Sequence, residues 1–165
     1  MKYDAEVTAA IAHWGPALGV TIDPALVQAI IQRETSHGDT MVTAESGGRY
    51  SYGPMMVLDS TARAYGVADP ATLKAPAVGI YYGVRNLAEL LRTFGSDTAA
   101  AISAYNTGPS RAVRNSAGKF PNQSYVDGVT AFWKLYRGAL VGGSSMILAA
   151  IVGLYLLLRS MRGKR

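Results

Sequence analysis

The chain has no cysteine among its 165 residues. Disulfides, thiolate metal sites and cysteine nucleophiles are excluded together, and the fold is indifferent to the redox state of its compartment. Histidine occurs twice, at His13 and His37, which is too few for a usual zinc ligand set. No metal and no cofactor is expected. Charge is sparse as well: 16% of residues are charged and 49% hydrophobic, where a quarter charged is common for globular domains. Alternating strand patterns are nearly absent, and there is no internal repeat, heptad or low-complexity tract. No apolar run near Met1 resembles a signal peptide.

The formal charge of +5 has no basic surface behind it. Four of the 16 Lys/Arg are Arg159, Arg162, Lys164 and Arg165, leaving 12 against 11 Asp/Glu in residues 1–138. The high pI therefore reports a basic tail. A nucleic-acid interface needs a clustered stripe of cations to neutralise phosphates, so no nucleic-acid contact by the main domain is expected.

What the chain does have is one long uncharged run. Residues 138–158 carry no charge and include MILAAIVGLYLLL; about 20 apolar residues cross a bilayer core as a helix. A buried core helix is the other reading, but the basic tail directly after the run favours a membrane span. The sequence thus divides into a domain over 1–137, a transmembrane helix over 138–158 and a basic tail over 159–165. Tyr136 and Arg137 stand where an interfacial anchor would, and Gly142 to Ser145 weaken the first turns of the span. The cation-rich tail places the C-terminus in the cytoplasm or inside a particle, with the domain on the other face.

Before the span the pattern is helical throughout. Asp4 can cap a first helix through Val7, Ile11, Trp14 and Leu18. Asp23-Pro24 opens a second with a cap and a proline at its first position, ending at Glu34. Residues 35–52 read as a polar, glycine-bearing loop long enough to suggest function. Pro54 starts a third helix ended by Gly66, and Asp69-Pro70 caps a short one. A long helix runs from about Pro76 to Phe94. Ser96 or Asp97 caps the next, which Gly108 stops, and residues 123–137 form the last. The prediction is a small, mainly α domain.

Glu34 stands three, four and seven residues after Ile31, Ile30 and Val27, on the same helical face as the apolar stripe. A carboxyl group there is partly desolvated, which raises its pKa and keeps a proton available for general acid catalysis. By position alone, a solvated glutamate paired with neighbouring Arg33 explains the residue equally well.

Three segments add to that reading. AIIQRETSHG, SYGPMMVLDSTARAYGV and AISAYNTGPSRAV resemble, in order, the blocks of the lytic transglycosylases related to goose-type lysozyme. That family has an apolar helix ending in Glu-Ser, then Gly-Leu-Met-Gln, then Ala-Tyr-Asn-x-Gly. Here these are Glu34-Thr35, Gly53-Pro54-Met55-Met56 and Ala104-Tyr105-Asn106-Thr107-Gly108. Asp69-Pro70 and Ser124-Tyr125-Val126 match further pieces, and the likeness extends over roughly residues 26–129. Thr35 replaces a serine but keeps the hydroxyl. Met56 replaces a glutamine and loses an amide, and the loop between Glu34 and Gly53 is a few residues longer than in the family.

The resemblance implies a lysozyme-like fold and cleavage of peptidoglycan glycan strands between N-acetylmuramic acid and N-acetylglucosamine. Glu34 would be the acid, with Thr35, Gly53, Met55, Met56, Tyr105, Asn106 and Tyr125 as substrate-binding residues. Tyr105 and Asn106 would position the N-acetyl group and Glu34; the methionines and Tyr125 would line the groove. The product implied is a 1,6-anhydro sugar formed without water, for which one carboxylate suffices, outside the two-carboxylate rule. A hydrolytic lysozyme on the same fold is a second reading, with Asp39 as a carboxylate for water activation. A catalytically silent wall-binding protein is a third, favoured by Met56.

A few further residues carry smaller expectations. Glu45-Ser46 repeats the Glu-Ser pair without an apolar helix before it, His37 could hydrogen-bond near the site, and His13 beside Trp14 reads as helix packing. A wall-cutting domain tied to a membrane fits a phage virion with an internal membrane, alongside other virion membrane proteins. A bacterial envelope with the domain facing the wall is the alternative. The lipid bilayer would then be a partner through residues 138–158.

Overall fold

A computed structural model describes residues 1–38 and 41–142 of the chain. The first helix, α1, spans Asp4–Leu18 and ends at Gly19, whose φ of 65° is the left-handed conformation glycine tolerates best. Asp4 is the first helical residue rather than the cap, which is Tyr3. The Asp4 carboxylate instead accepts a 2.8 Å hydrogen bond from the Gln28 side-chain amide.

The second helix, α2 (Pro24–Thr35), is the centre of the domain. Asp23 caps it by accepting from the Ala25 amide at 2.9 Å, and Pro24 presets the first helical φ. Every residue from Ala25 to Ile31 is buried, so α2 is enclosed on all sides rather than along one stripe. Gln28 is the polar exception, fully buried among Leu26, Val27, Ile30 and Ile31. It donates to the Lys2 carbonyl at 2.9 Å and to Asp4, and its own carbonyl lies 3.2 Å from His37 Nε2. Its polar atoms are thereby satisfied, as burial requires.

The stretch read as a loop contains part of a small sheet. Strand β1 (Val42–Ala44) pairs antiparallel with β2 (Tyr50–Tyr52), Thr43 opposite Ser51, and β2 pairs with β3 (Val57–Leu58). Strands of two or three residues are too short to show alternation in a sequence. The hairpin turns through Gly47 and Gly48, both left-handed at φ 74° and 71°.

Pro54 does not start a helix. It lies in a turn over residues 53–56, closed by the Met56 amide donating to the Gly53 carbonyl at 3.1 Å. Gly53 and Met56 are left-handed at φ 79° and 47°, which a right-handed helix cannot include. The third helix, α3, therefore begins five residues after Pro54, at Asp59–Ala64.

Asp69 caps a 3₁₀ turn over Pro70–Lys74, as the sequence predicts. Then come α4 (Pro76–Phe94), ended by Gly95, and α5 (Thr98–Thr107), capped by Asp97 and stopped by Gly108. The last described helix is α6 (Gln123–Gly142). Helix α2 packs on α6, α1 on α4, and α5 against α4 and α6. The shared core includes Ile30, Leu73, Ile80, Leu87, Ile102 and Val129, all essentially inaccessible. Each such side chain contributes about 1.5–3 kcal/mol of burial.

Tyr136 is not an interfacial anchor. It is 6% exposed within the main core and donates to Gln32 Oε1 at 3.3 Å. Arg137 pairs with Asp23 at 3.2 Å, beside the Trp133 indole that donates to the same carboxylate at 2.8 Å. Helix α6 continues across the 137/138 boundary to Gly142. No helix among the described residues is long and apolar enough to cross a membrane. The expected span and basic tail lie, from residue 143 onward, outside the described residues.

Candidate active site

Glu34 occupies the last turn of α2. Immediately after the helix, Ser36, His37 and Gly38 are left-handed at φ 49°, 60° and 96°, so the chain turns sharply away and leaves the Glu34 carboxyl at the edge of a cleft. The cleft has a volume of about 740 Å³. One side is the sheet and its turn, through Thr43, Glu45, Ser46, Arg49, Ser51 and Met56. The other is Asn86 of α4 and the segment from Ala104 to Arg111.

Glu34 is part-buried at the cleft edge, and its carboxyl is pushed up from 4.5 to about 7. Desolvation by the surrounding protein is the main cause. A hydrogen bond donated by the Tyr125 hydroxyl and the charge of Arg33 oppose it, whereas the Glu45 carboxylate adds to it. A carboxyl group that titrates near 7 holds its proton for a sizeable fraction of the time at neutrality, as a general acid must.

Tyr125 comes from α6, 91 positions away in sequence. It is 6% exposed, and the Arg33 guanidinium lies 5.5 Å from its ring centre. Its phenol is raised well above the ordinary tyrosine value by burial and then by the Glu34 charge, so it stays a neutral donor. Tyr125 is thus the residue that grips the acid. It does not form the open groove lining implied by the resemblance.

Tyr105 and Asn106 line the cleft from the end of α5. The Tyr105 hydroxyl donates to the Met55 carbonyl at 2.8 Å, and burial first, Glu34 second, raise its pKa well above the usual value. The Asn106 amide is oriented by a network below it. Asn122 Nδ2 donates to Asn106 Oδ1 at 3.0 Å, and Ser103 Oγ donates to Asn122 Oδ1 at 2.7 Å. With its oxygen committed, Asn106 presents its NH₂ as a donor.

The other expected binding residues are placed differently. Thr35 is buried and absent from the cleft lining. Its hydroxyl is within 3.0 Å of the Ile31 and Pro54 carbonyls and accepts from the Gly38 amide, fastening the helix end to the 53–56 turn. Met55 is fully buried and sits where α4 has Gly83; a Cβ on Gly83 would lie 2.6 Å from the Met55 side chain. Gly53 packs so closely that a Cβ would meet the Leu73 carbonyl oxygen at 2.2 Å. These three shape the turn that delivers Met56, which does line the cleft. His37 bonds to Gln32 and Gln28, not to Glu34. His13 stacks edge-on with Trp14 at 4.6 Å. Asp39 lies outside the described residues.

Glu45, Arg49, Asn86, Arg111 and Asn122 are site residues that the sequence does not single out, or offers only weakly. The signal for Glu45 is the repeated Glu-Ser pair noted in the sequence, which lacks the apolar helix that precedes Glu34. Asn86 and Asn122 offer none, since each matters only through a partner distant in sequence.

Known proteins share this fold. Residues 16–126, about two thirds of the chain, match the family model described as transglycosylase SLT domain. Among solved structures, the chain is similar to lytic transglycosylase Slt from Pseudomonas aeruginosa, crystallised as an inactive mutant with a glutamate changed to glutamine. The TM-score is 0.59 at 20% identity, over 85% of this chain and 25% of that one. This chain therefore corresponds to about a quarter of Slt, and the likeness is one of fold. With its mainly helical lysozyme-like architecture and this match over two thirds of its length, the chain belongs to the transglycosylase SLT domain family.

Proposed function

We propose that the protein cleaves the β-1,4 bond between N-acetylmuramic acid and N-acetylglucosamine, with Glu34 as the single acid and base of a 1,6-anhydro-forming reaction. The observation that carries this is the Glu34 carboxyl, raised to about 7 at the cleft and gripped by Tyr125. Protonated Glu34 gives its proton to the glycosidic oxygen as the C1–O4 bond breaks. The resulting carboxylate takes the proton of the muramic C6 hydroxyl, whose oxygen closes on C1. The Asn106 NH₂ is available to hold the N-acetyl carbonyl beside C1. That a glutamate-to-glutamine change accompanies inactivity in the matched Slt supports a carboxyl in this role.

The finer setting is also proposed. Residues 138–158 would hold the domain against a bilayer, restricting cutting to nearby wall, as suits local opening for phage genome entry from a virion with an internal membrane. Finding the protein in purified particles supports this; finding it only in uninfected envelopes ends it. For the reaction itself, mass spectrometry of digested peptidoglycan should show anhydromuramic ends with wild type and none with Glu34→Gln. Equal cleavage by both proteins would remove Glu34 from the role.

A further inference from the structure

Asn122 holds the position of a helix cap and does not act as one. Its carbonyl accepts from the Tyr125 and Val126 amides at 2.8 and 3.3 Å, so its backbone is fixed where α6 begins. An asparagine there ordinarily spends its side chain on the free amides of the first turn. This one turns to α5 instead, and it lies outside the blocks that carry the family resemblance. Its Nδ2 donates to the Ser103 carbonyl at 3.1 Å and to Asn106 Oδ1 at 3.0 Å, and its Oδ1 accepts from Ser103 Oγ at 2.7 Å. Ser103 is fully buried. The directions of these bonds are forced. A backbone carbonyl can only accept, so the group that Asn122 turns to the Ser103 carbonyl is its NH₂. The second proton of that NH₂ goes to Asn106, which must answer with its oxygen. The Asn106 NH₂ is left without a partner among the described residues, on a side chain exposed at the cleft wall. A fixed polarity thus runs from buried backbone to open cleft.

We infer that Asn122 is a specificity-determining positioning residue. It fixes Asn106 as a donor, so the cleft selects a sugar whose C2 substituent offers a carbonyl acceptor. The inference rests on the proposed reading that Asn106 meets an N-acetyl group, and adds which residue imposes that preference. Asn122→Asp reverses the polarity. The introduced carboxylate still accepts from Ser103 Oγ but has no proton for Asn106, whose amide turns over to donate to it. Asn106 Oδ1 then faces the cleft, and an acetamido carbonyl meets a second acceptor. A C2 hydroxyl donates as well as accepts and is served by either orientation.

Isothermal titration with two uncharged probes reads the preference, on the full chain carrying Glu34→Gln so that nothing is cut. Chitotetraose has an N-acetyl group on every C2, and cellotetraose has a hydroxyl there. With Asn122 in place, chitotetraose should bind about fivefold more tightly, the worth of one hydrogen bond. Asn122→Asp should abolish that preference by weakening chitotetraose alone. Asn122→Ala, which leaves Asn106 free to turn, should reduce the preference in the same way and serves if Asn122→Asp folds poorly. A merely structural role would weaken both probes alike. The inference is overturned if neither probe binds, if no preference exists with Asn122 in place, or if a folded variant keeps the ratio unchanged, whether or not both affinities fall. The expected binding pattern in a protein that forms no anhydro ends would refute the proposed reaction instead, so the two failures are separable.

Discussion

The side of the cleft that carries Glu34 and the side that carries Glu45 meet the same substrate space but are held by different forces. Glu34 sits at the end of a helix buried continuously from Ala25 to Ile31, and its partner Tyr125 is delivered by α6 through the same core. Glu45 follows a strand of three residues, with Val42 and Tyr50 more than 40% exposed, and is fixed by local hydrogen bonds. Core burial desolvates, which is why the helical side can raise a carboxyl to about 7. The hairpin side is open to solvent and does not desolvate its groups to that degree; it holds polar groups at the cleft by local hydrogen bonds instead. The position of Glu34 is therefore tied to the core, whereas that of Glu45 depends on contacts within the hairpin.

The largest expected effect breaks this comparison on its helical side. Glu34→Gln should lower kcat/KM by about a thousandfold or more, within the range for a general acid, yet stabilise the fold. The folded pKa near 7 lies above the 4.5 of the unfolded chain, so stability falls as pH rises from 4.5 to 7. Removing the carboxyl should recover about 2 kcal/mol at about pH 8, discounted for cleft water, and nothing at about pH 4. Urea unfolding at the two pH values checks it; equal stability changes at both would show the acid is not desolvated.

Two left-handed glycines of the sheet side, one wedged and one open, give the next contrast. Gly53→Ala forces a Cβ into the Leu73 carbonyl at φ 79° and should cost about 3 kcal/mol. Gly48→Ala, also left-handed but in open space, should cost about 1 kcal/mol. Thermal unfolding of the pair reads the difference, and similar shifts would mean the 53–56 turn is not wedged in place.

Tyr125→Phe tests the grip on the acid. The basic limb of kcat/KM for wild type should fall through about pH 7 as Glu34 loses its proton. Removing a donor to the carboxylate raises its pKa further, so the limb should move to higher pH while kcat drops about tenfold. A pH profile that stays in place would show that Tyr125 does not hold Glu34 in solution. The smallest effect is on the hairpin, where the Arg49 guanidinium bonds to its neighbour Ser46. Arg49→Ala should change unfolding stability by no more than about 0.5 kcal/mol.

Capping and breaking residues make most of the helices legible in the sequence. Asp23-Pro24, Asp69-Pro70, Gly95, Asp97 and Gly108 each act within one turn of where they stand, so local chemistry suffices to place them. Local chemistry misleads where a distant group outweighs it. Pro54 has the pattern of a helix start, but Gly53 must tuck under Leu73 and Met56 must turn into the cleft. Tyr136 has the pattern of a membrane anchor because its place in the core depends on Gln32 of another helix.

Composition and residues near one another along the chain establish a mainly helical protein without cysteine chemistry. They also put Glu34 at the end of an apolar helix, within family blocks that match a lytic transglycosylase. Folding alone establishes that Tyr125 grips the acid, that Asn122 aims Asn106, that Thr35 and Met55 are buried supports, and that Glu45 shares the cleft. Each of those depends on desolvation or on a hydrogen bond between groups far apart in the chain, and neither leaves a periodic trace in the sequence.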